Sequence, residues 1–264
     1  METNHFLVEY YNRGIEDGRL ASQHGSVEFL TTMRYVERYL NPGNRIIEIG
    51  AGTGRYSHAI ARKGFTVDAV ELVEHNIEMF RHNTKSNENI TITQGNAMDL
   101  SGFADYTYNI TLLLGPMYHL FKKEEKQKAV SEAIRVTKQG GTIFTAYCIS
   151  DPSILVSGFK QKRYSIQEYM DNGFIDPQTF AASSEPALLF EIVRKENIEE
   201  LMSAFPVSRL HYVATDGYAF HMKEVIDEMD EAEFGLFLRY HYATCEREDM
   251  VGYTAHALDI SRKD

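Results

Sequence analysis

Three glycines at alternating positions, Gly50, Gly52 and Gly54, follow the run Ile46-Ile47-Glu48-Ile49. Without a Cβ the backbone at such positions can approach a ligand closely, and where the turn opens a helix its amide N–H groups are available to donate. Sites for dinucleotides and for adenosylmethionine are both built this way. The dinucleotide fingerprint places its third glycine three residues after the second. Here that position is Arg55, and Gly54 falls one residue earlier. Glu48, a carboxylate just ahead of the turn, would repel a pyrophosphate and suits a ligand with an ammonium and a cationic sulfur. Glu71, at the end of the next β-branched run, can accept hydrogen bonds from both hydroxyls of a ribose, which serves either ligand.

The elements that must position these residues can be read from periodicity. Apolar residues at near-helical spacing from Ser26 to Leu40 predict a helix, stopped by Asn41-Pro42-Gly43-Asn44. A strand over Arg45–Ile49, a helix over Gly54–Lys63 and a second strand over Thr66–Glu71 come next. The pattern continues as helix His75–Lys85, strands Ile90–Gln94 and Ile110–Leu114, helix Lys123–Thr137 and strand Thr142–Tyr147. Strands alternating with helices of this length predict a mostly parallel sheet with helices on both faces, and such sheets bind ligands beyond the carboxyl ends of their strands. After Ser150 the alternation stops, and residues 151–204, interrupted by Pro152, Gly158, Gly173, Pro177 and Pro186, read as a cap inserted after the fifth strand. Strand Val207–Ala214, helix Lys223–Cys245 with a break near Asp230, and strand Thr254–Ser261 complete seven strands, the last antiparallel. The expected division is a leading helical segment over 1–40, a ligand-binding core over 41–150, the cap over 151–204 and the rest of the core sheet over 205–264.

Composition narrows the partners. Of 264 residues, 38 are Asp or Glu and 27 are Lys or Arg, giving a formal charge of −11. That disfavours tracking a nucleic-acid backbone, which draws its affinity from basic residues neutralising phosphates, although Lys160–Arg163 makes a local basic run. A small-molecule partner gains weight. No apolar run reaches the roughly 18 residues of a membrane span and the first residues lack signal-peptide order, so a cytoplasmic location is expected. Cys148 and Cys245 have no metal-ligand spacing, and no metal is expected. Nothing in the sequence sets an oligomeric state.

The chain resembles the class I, Rossmann-like, adenosylmethionine-dependent methyltransferases of the bacterial small-molecule type. The likeness runs over roughly residues 40–148. Its carriers are Glu48–Gly54 (Glu-Ile-Gly-Ala-Gly-Thr-Gly), Val70-Glu71, Gly95–Leu100 (Gly-Asn-Ala-Met-Asp-Leu), Leu112–Pro116 (Leu-Leu-Leu-Gly-Pro) and Lys138–Thr142 (Lys-Gln-Gly-Gly-Thr). The resemblance implies that Gly50, Gly52 and Gly54 flank the methionine moiety, with Glu48 beside them, and that Glu71 binds the ribose. Asn96 and Ala97 would meet the adenine, with Asp99 as the alternative contact, since many relatives carry an aspartate where Asn96 stands. Leu114 and Gly115 would lie near the sulfur.

Methyl transfer from a sulfonium needs the nucleophile and methyl held in line and water excluded. A general base helps where the acceptor must lose a proton, and His119, just past the fourth strand, is the placed candidate, with Tyr118 lining the acceptor pocket. The competing reading of His119 is a structural histidine bonded to a backbone carbonyl. In related enzymes a leading segment such as Tyr10-Tyr11-Asn12-Arg13, with Arg19 and His24 beyond it, folds over the cofactor. Tyr11 or Tyr10 would then cover the sulfonium by a cation–π contact. The expected function is methyl transfer from adenosylmethionine to a small-molecule acceptor. The alternatives are a non-catalytic adenosylmethionine-binding regulator and a tRNA or protein methyltransferase. A nicotinamide oxidoreductase conflicts with Glu48 and the glycine spacing. His58, His211, His221, His241 and His256 receive no role.

Overall fold

The computed structural model describes residues 2–12 and 22–264. The strands are β1 (Arg45–Ile49), β2 (Thr66–Glu71), β3 (Ile90–Gln94), β4 (Tyr108–Leu113), β5 (Thr137–Ile149), β6 (Ile192–Val193), β7 (Val207–Ala214) and β8 (His256–Lys263). The helices are α1 (Glu2–Tyr11), α2 (Gln23–Tyr39), α3 (Arg55–Ala61), α4 (Glu74–Asn83), α5 (Lys123–Val136), α6 (Ser150–Ser153), α7 (Ile166–Asp171), α8 (Lys195–Met202), α9 (Lys223–Asp227), α10 (Glu231–Thr244) and α11 (Glu248–Val251). The break expected near Asp230 is a helix start, because the Asp230 carboxylate accepts from the amides of Ala232 and Glu233.

The sheet runs β3-β2-β1-β4-β5-β8-β7. The pairs β1–β2, β2–β3, β1–β4 and β4–β5 are parallel, while β8 is antiparallel to both β5 and β7. Strand β1 lies inside the sheet between β2 and β4, and its side chains from Ile46 to Ile49 are all buried, which is why it reads as an apolar run with one acid in it. Burying each of its three isoleucines contributes about 1.5–3 kcal/mol. One core cluster, around Ile47, Ile49, Leu113, Ala133 and Ile143, and another, around Val36, Ile46, Ile60, Leu112 and Phe144, divide the core residues of the sheet.

The strand count differs from the sequence reading. Among the described residues there are eight strands, not seven: the two-residue β6 pairs in parallel with Cys148 and Ile149 at the end of β5. Helix α8, inside the 151–204 segment, carries Ile198, Leu201 and Met202 at helical spacing into the same core cluster as Ile47 and Leu113. The part of that segment before α8 is clamped at its root, where Arg194 donates through Nε and Nη2 to both oxygens of Asp151, at 2.9 and 2.8 Å. Among the described residues no helix is long and apolar enough to cross a membrane.

Candidate functional site

The strand ends beyond β1, β2, β3 and β4 open on one cavity of about 280 Å³. Glu48, Gly50, Gly52, Glu71, Asn96, Ala97, Leu114, Tyr118, His119 and Tyr11 all line it. Gly54 and Asp99 do not.

The three glycines are required for three different reasons. All have positive φ, +75° at Gly50, +54° at Gly52 and +93° at Gly54. A Cβ on Gly50 would lie 2.6 Å from Cδ of Pro116, so this glycine lets the β1 and β4 loops close on each other. A Cβ on Gly54 would lie 2.6 Å from His58 Nε2 and from Cδ2 of Phe80, behind the turn; there it serves packing, not the ligand. A Cβ on Gly52 would meet nothing within 4 Å. Only at Gly52 would a side chain enter open space at the cavity.

Glu71 ends β2 and fastens this turn. Its Oε2 accepts from the Gly52 amide at 2.8 Å, and its Oε1 accepts from the Val73 amide at 2.9 Å and from Asn76 Nδ2 at 3.3 Å. Three of about four carboxylate lone-pair positions are thereby engaged. The acid expected to be free for a ribose is first a strut of the loop. Glu48 is 1% exposed, and its Oε2 accepts from the amide of Ser57 at 2.9 Å and from the Ser57 hydroxyl. Burial pushes its carboxyl up to about 8, against the pull of both Ser57 bonds and with a further push from Glu71.

After β3, Asn96 Oδ1 accepts from the Met98 amide at 2.9 Å, closing a turn in which Asn96 bridges Asp99. Its Nδ2 is therefore the main group it can still offer a ligand, narrower than the donor and acceptor pair expected. Asp99 is exposed on the far side of this turn, where its carboxylate accepts from the Ser101 amide at 3.0 Å. The turn that presents Asn96 to the cavity leaves Asp99, the alternative adenine contact, outside its lining.

His119 ends the short turn Pro116–His119 after β4. Its Nδ1 lies 2.9 Å from the carbonyl oxygen of Leu189 and its Nε2 lies 2.9 Å from the Tyr11 hydroxyl. A carbonyl only accepts, so Nδ1 carries the proton and the neutral ring accepts from Tyr11 through Nε2. Desolvation among Tyr11, Tyr118 and Phe190 pushes its pKa down to about 4, despite the Leu189 bond. The backbone-bonded histidine is what the geometry presents. Tyr118 donates to the Leu114 carbonyl at 2.9 Å. Tyr11 and Leu7 bring α1 to the cavity; Arg13 and Arg19 lie outside the described residues.

A second cavity, of about 410 Å³, lies against the first, and Glu28, Tyr118 and His256 line both. Its walls include Tyr10, Tyr164, Tyr169, Phe174, Phe190 and Phe220, with Arg163 exposed at its edge. Of the basic run Lys160–Arg163, Lys160 donates to the His221 carbonyl at 3.0 Å and Arg163 belongs to this cavity.

His256 was given no role by the sequence. Its Nδ1 donates to Asp216 Oδ2 at 2.8 Å and lies 3.6 Å from Glu28 Oε2. Asp216, 6% exposed, also accepts from the Thr254 hydroxyl and the amides of Ala255 and His256. A signal for it existed. A strand antiparallel to β5 begins at the edge where β5 ends, so the first residue of β8 stands with the ligand-facing ends of the parallel strands. His256 is that residue.

Comparison with known proteins agrees with this geometry. Residues 46–141 match the family model described as a methyltransferase domain. The chain is 32% identical to a demethylmenaquinone methyltransferase of Renibacterium salmoninarum over 106 residues, 40% of this chain and 41% of that protein. It is 32% identical to a ubiquinone biosynthesis O-methyltransferase of Methylocella silvestris over 128 residues, 48% of each. The match thus spans less than half the length of these curated relatives. A solved structure of a Pyrococcus horikoshii protein shares the fold with a TM-score of 0.63 at 17% identity, over 97% of this chain and 99% of that one. Its strand order, its glycine turn and the acid closing β2 are those that the resemblance to the class I, Rossmann-like, adenosylmethionine-dependent methyltransferases implies, and residues 46–141 carry a match to a methyltransferase domain.

Proposed function

We propose that the chain transfers a methyl group from adenosylmethionine, held in the first cavity, to a small molecule held in the second. The observation that carries this reading is the shared wall: Glu28, Tyr118 and His256 line both cavities, so two ligands would meet there. The residues present fit the cofactor. Gly52 leaves space that a Cβ would fill, Glu71 and Asn96 stand at the ends of β2 and β3, and Glu48 places a buried carboxyl near the turn. When bound, adenosylmethionine supplies an electrophilic methyl on a cationic sulfur and departs as a neutral thioether. The chain's own part is to orient and to exclude water. Tyr11 and Leu7 of α1 and Leu189 of the cap close over the strand ends, and the bond from Tyr11 to His119 ties α1 to the β4 turn. The two curated relatives described above are named for demethylmenaquinone and for ubiquinone biosynthesis, which favours a flat acceptor, and the aromatic walls of the second cavity favour the same.

Titration calorimetry with adenosylmethionine and adenosylhomocysteine, followed by adenosylhomocysteine release on a panel of small acceptors, tests the reading. Micromolar cofactor binding with turnover on a flat acceptor is expected. Binding without turnover on any acceptor would favour a regulator, and failure to bind would overturn the assignment of the first cavity.

A further inference from the structure

We propose that His256, oriented by Asp216, is the group that takes the proton from the acceptor, and that the acceptor is an aromatic compound whose nucleophile is an acidic ring hydroxyl. The inference rests on the two-cavity reading above and adds to it the residue and the substrate class.

Three observations carry it. The first is position: His256 lies in the wall common to both cavities. Any acceptor atom reaching from the second cavity towards the first must pass it, Glu28 or Tyr118. The second is orientation. Nδ1 is committed to Asp216, whose other oxygen is held by the Thr254 hydroxyl and two amides, so the ring is fixed and Nε2 is the nitrogen left for a ligand. A carboxylate behind Nδ1 sets the tautomer and stabilises the cation formed when Nε2 accepts a proton. The third is the setting. Tyr10, Tyr164, Tyr169, Phe174 and Phe190 give the second cavity ring faces for a flat molecule. Tyr164 and Tyr169 already stack on each other at 4.3 Å between centroids, so the cavity offers such faces at one end.

The charges around the ring decide which acceptor it serves. The groups facing it are Glu28 on α2, Asp216 after β7 and Cys148 on β5. Burial alone would lower its pKa, but the charges of these groups and the Asp216 bond outweigh it and hold the ring well above histidine's ordinary value. An imidazole so stabilised as a cation can share a proton with a phenol and leave the phenolate beside it. An aliphatic alcohol is too weak an acid for that exchange. In the step, the acceptor O–H bond breaks and its proton passes to Nε2, while the electron pair stays on oxygen. That pair forms the new O–CH3 bond as the S–CH3 pair remains on sulfur. The step starts from the deprotonated ring, the minor form at neutral pH and the one that rising pH populates: a neutral imidazole and a sulfonium become an imidazolium and a thioether, and the charge balances.

His119 does not compete for this role, because its Nε2 is engaged by Tyr11 and its ring is the weaker base.

The test uses the whole chain saturated with adenosylhomocysteine and 4-nitrophenol as a probe, since its visible absorbance reports its own ionisation. With the wild type, the bound probe should ionise at least about one pH unit lower than the free probe. With His256→Gln that shift should vanish, and with Asp216→Asn it should shrink, while calorimetric affinity for adenosylhomocysteine stays within about twofold in both. Turnover with 1-naphthol should fall at least about 100-fold in His256→Gln, and a matched amine, 1-naphthylmethylamine, should be a poor acceptor for the wild type. An unshifted or unbound probe with cofactor in place, or methylation of the amine in preference to the naphthol, overturns this proposal and leaves the two-cavity reading standing. Loss of cofactor binding by the wild type overturns both. If Asp216→Asn proves unfolded by circular dichroism, His256→Gln decides alone.

Discussion

The wall of the first cavity built by β4 and the wall built by β8 each present one histidine, held by the same device, an Nδ1 bond to a fixed oxygen. At His119 the oxygen is a carbonyl, that of Leu189, and the surroundings are aromatic rings. At His256 the oxygen belongs to a carboxylate, Asp216, with a second carboxylate, Glu28, nearby. The first ring is driven to neutrality, with a pKa of about 4, and the second is held towards the cation. The difference shows that a histidine's place beside a ligand site does not make it a base; what lies behind its other nitrogen does.

A similar contrast holds between the two cavities, and it can be broken most severely at Gly52. The first is walled by backbone turns at strand ends, the second by side chains. Gly52→Val places a branched side chain in the open space and strains a residue at φ +54°. Adenosylmethionine affinity should fall more than about 100-fold by calorimetry, while 4-nitrophenol binding in the second cavity survives. Joint loss of both with native circular dichroism would show that the cavities are not separable.

The next largest effect is expected at Glu71. Glu71→Ala removes the acceptor of the Gly52 amide as well as the proposed ribose partner, and the loss of a charged hydrogen bond costs about 1.5–3 kcal/mol. Calorimetry should show cofactor affinity reduced by roughly ten- to a hundredfold. A change below about threefold would remove Glu71 from the site.

His119 gives a smaller effect that separates it from His256. His119→Ala should lower turnover less than about tenfold, where loss of a true general base costs about 100-fold or more. Its ring should also remain in the neutral, Nδ1-protonated form from pH 8 down to about 5 in nitrogen-15 NMR, as the depressed pKa requires. Protonation of His119 near pH 6.5 would contradict the aromatic environment described for it.

The contrast between cavities also explains what could be read in the chain. Gly50, Gly52, Glu71 and Asn96 each belong to a short stretch whose neighbours in sequence are its neighbours in space, so spacing placed the first three at one edge and the family resemblance added Asn96. The parallel core and the antiparallel final strand were legible for the same reason, because hydrophobic period reports local structure. The second cavity was not. Tyr10, Glu28, Tyr118, Phe190, Asp216 and His256 come from six separate parts of the chain, and only the closure of the sheet by β8 brings Asp216 beside His256. Gly54 shows the converse: the motif named it, yet its bare Cα serves His58 and Phe80, which a spacing cannot reveal. The two-residue β6 was missed because so short a strand has no period, and α8 went unread because Pro186 and its neighbours hid the helical spacing of Ile198, Leu201 and Met202.

The smallest effect expected is a pH dependence at Glu48, and it carries the contrast in charge into the first cavity. Its carboxyl, pushed up to about 8, is mostly protonated at neutral pH, opposite to the ionised Asp216 of the other wall. A cationic ligand favours the ionised form, so adenosylmethionine binding should release a fraction of a proton below pH 8 and tighten a few-fold from pH 6.5 to 8.5. In the free chain the sign is set by the raised pKa. The native state holds this proton more tightly than the unfolded one, so the contribution is complete below about pH 4.5 and is lost as pH rises through 8. The thermal midpoint of the wild type should therefore fall between pH 5.5 and 8.5 by more than that of Glu48→Gln. Calorimetry of the two forms in buffers of different ionisation enthalpy measures the released proton directly. Equal proton release by both would mean that the charge of the ligand is met elsewhere, and Glu48 would be left as the residue that fastens Ser57 to β1.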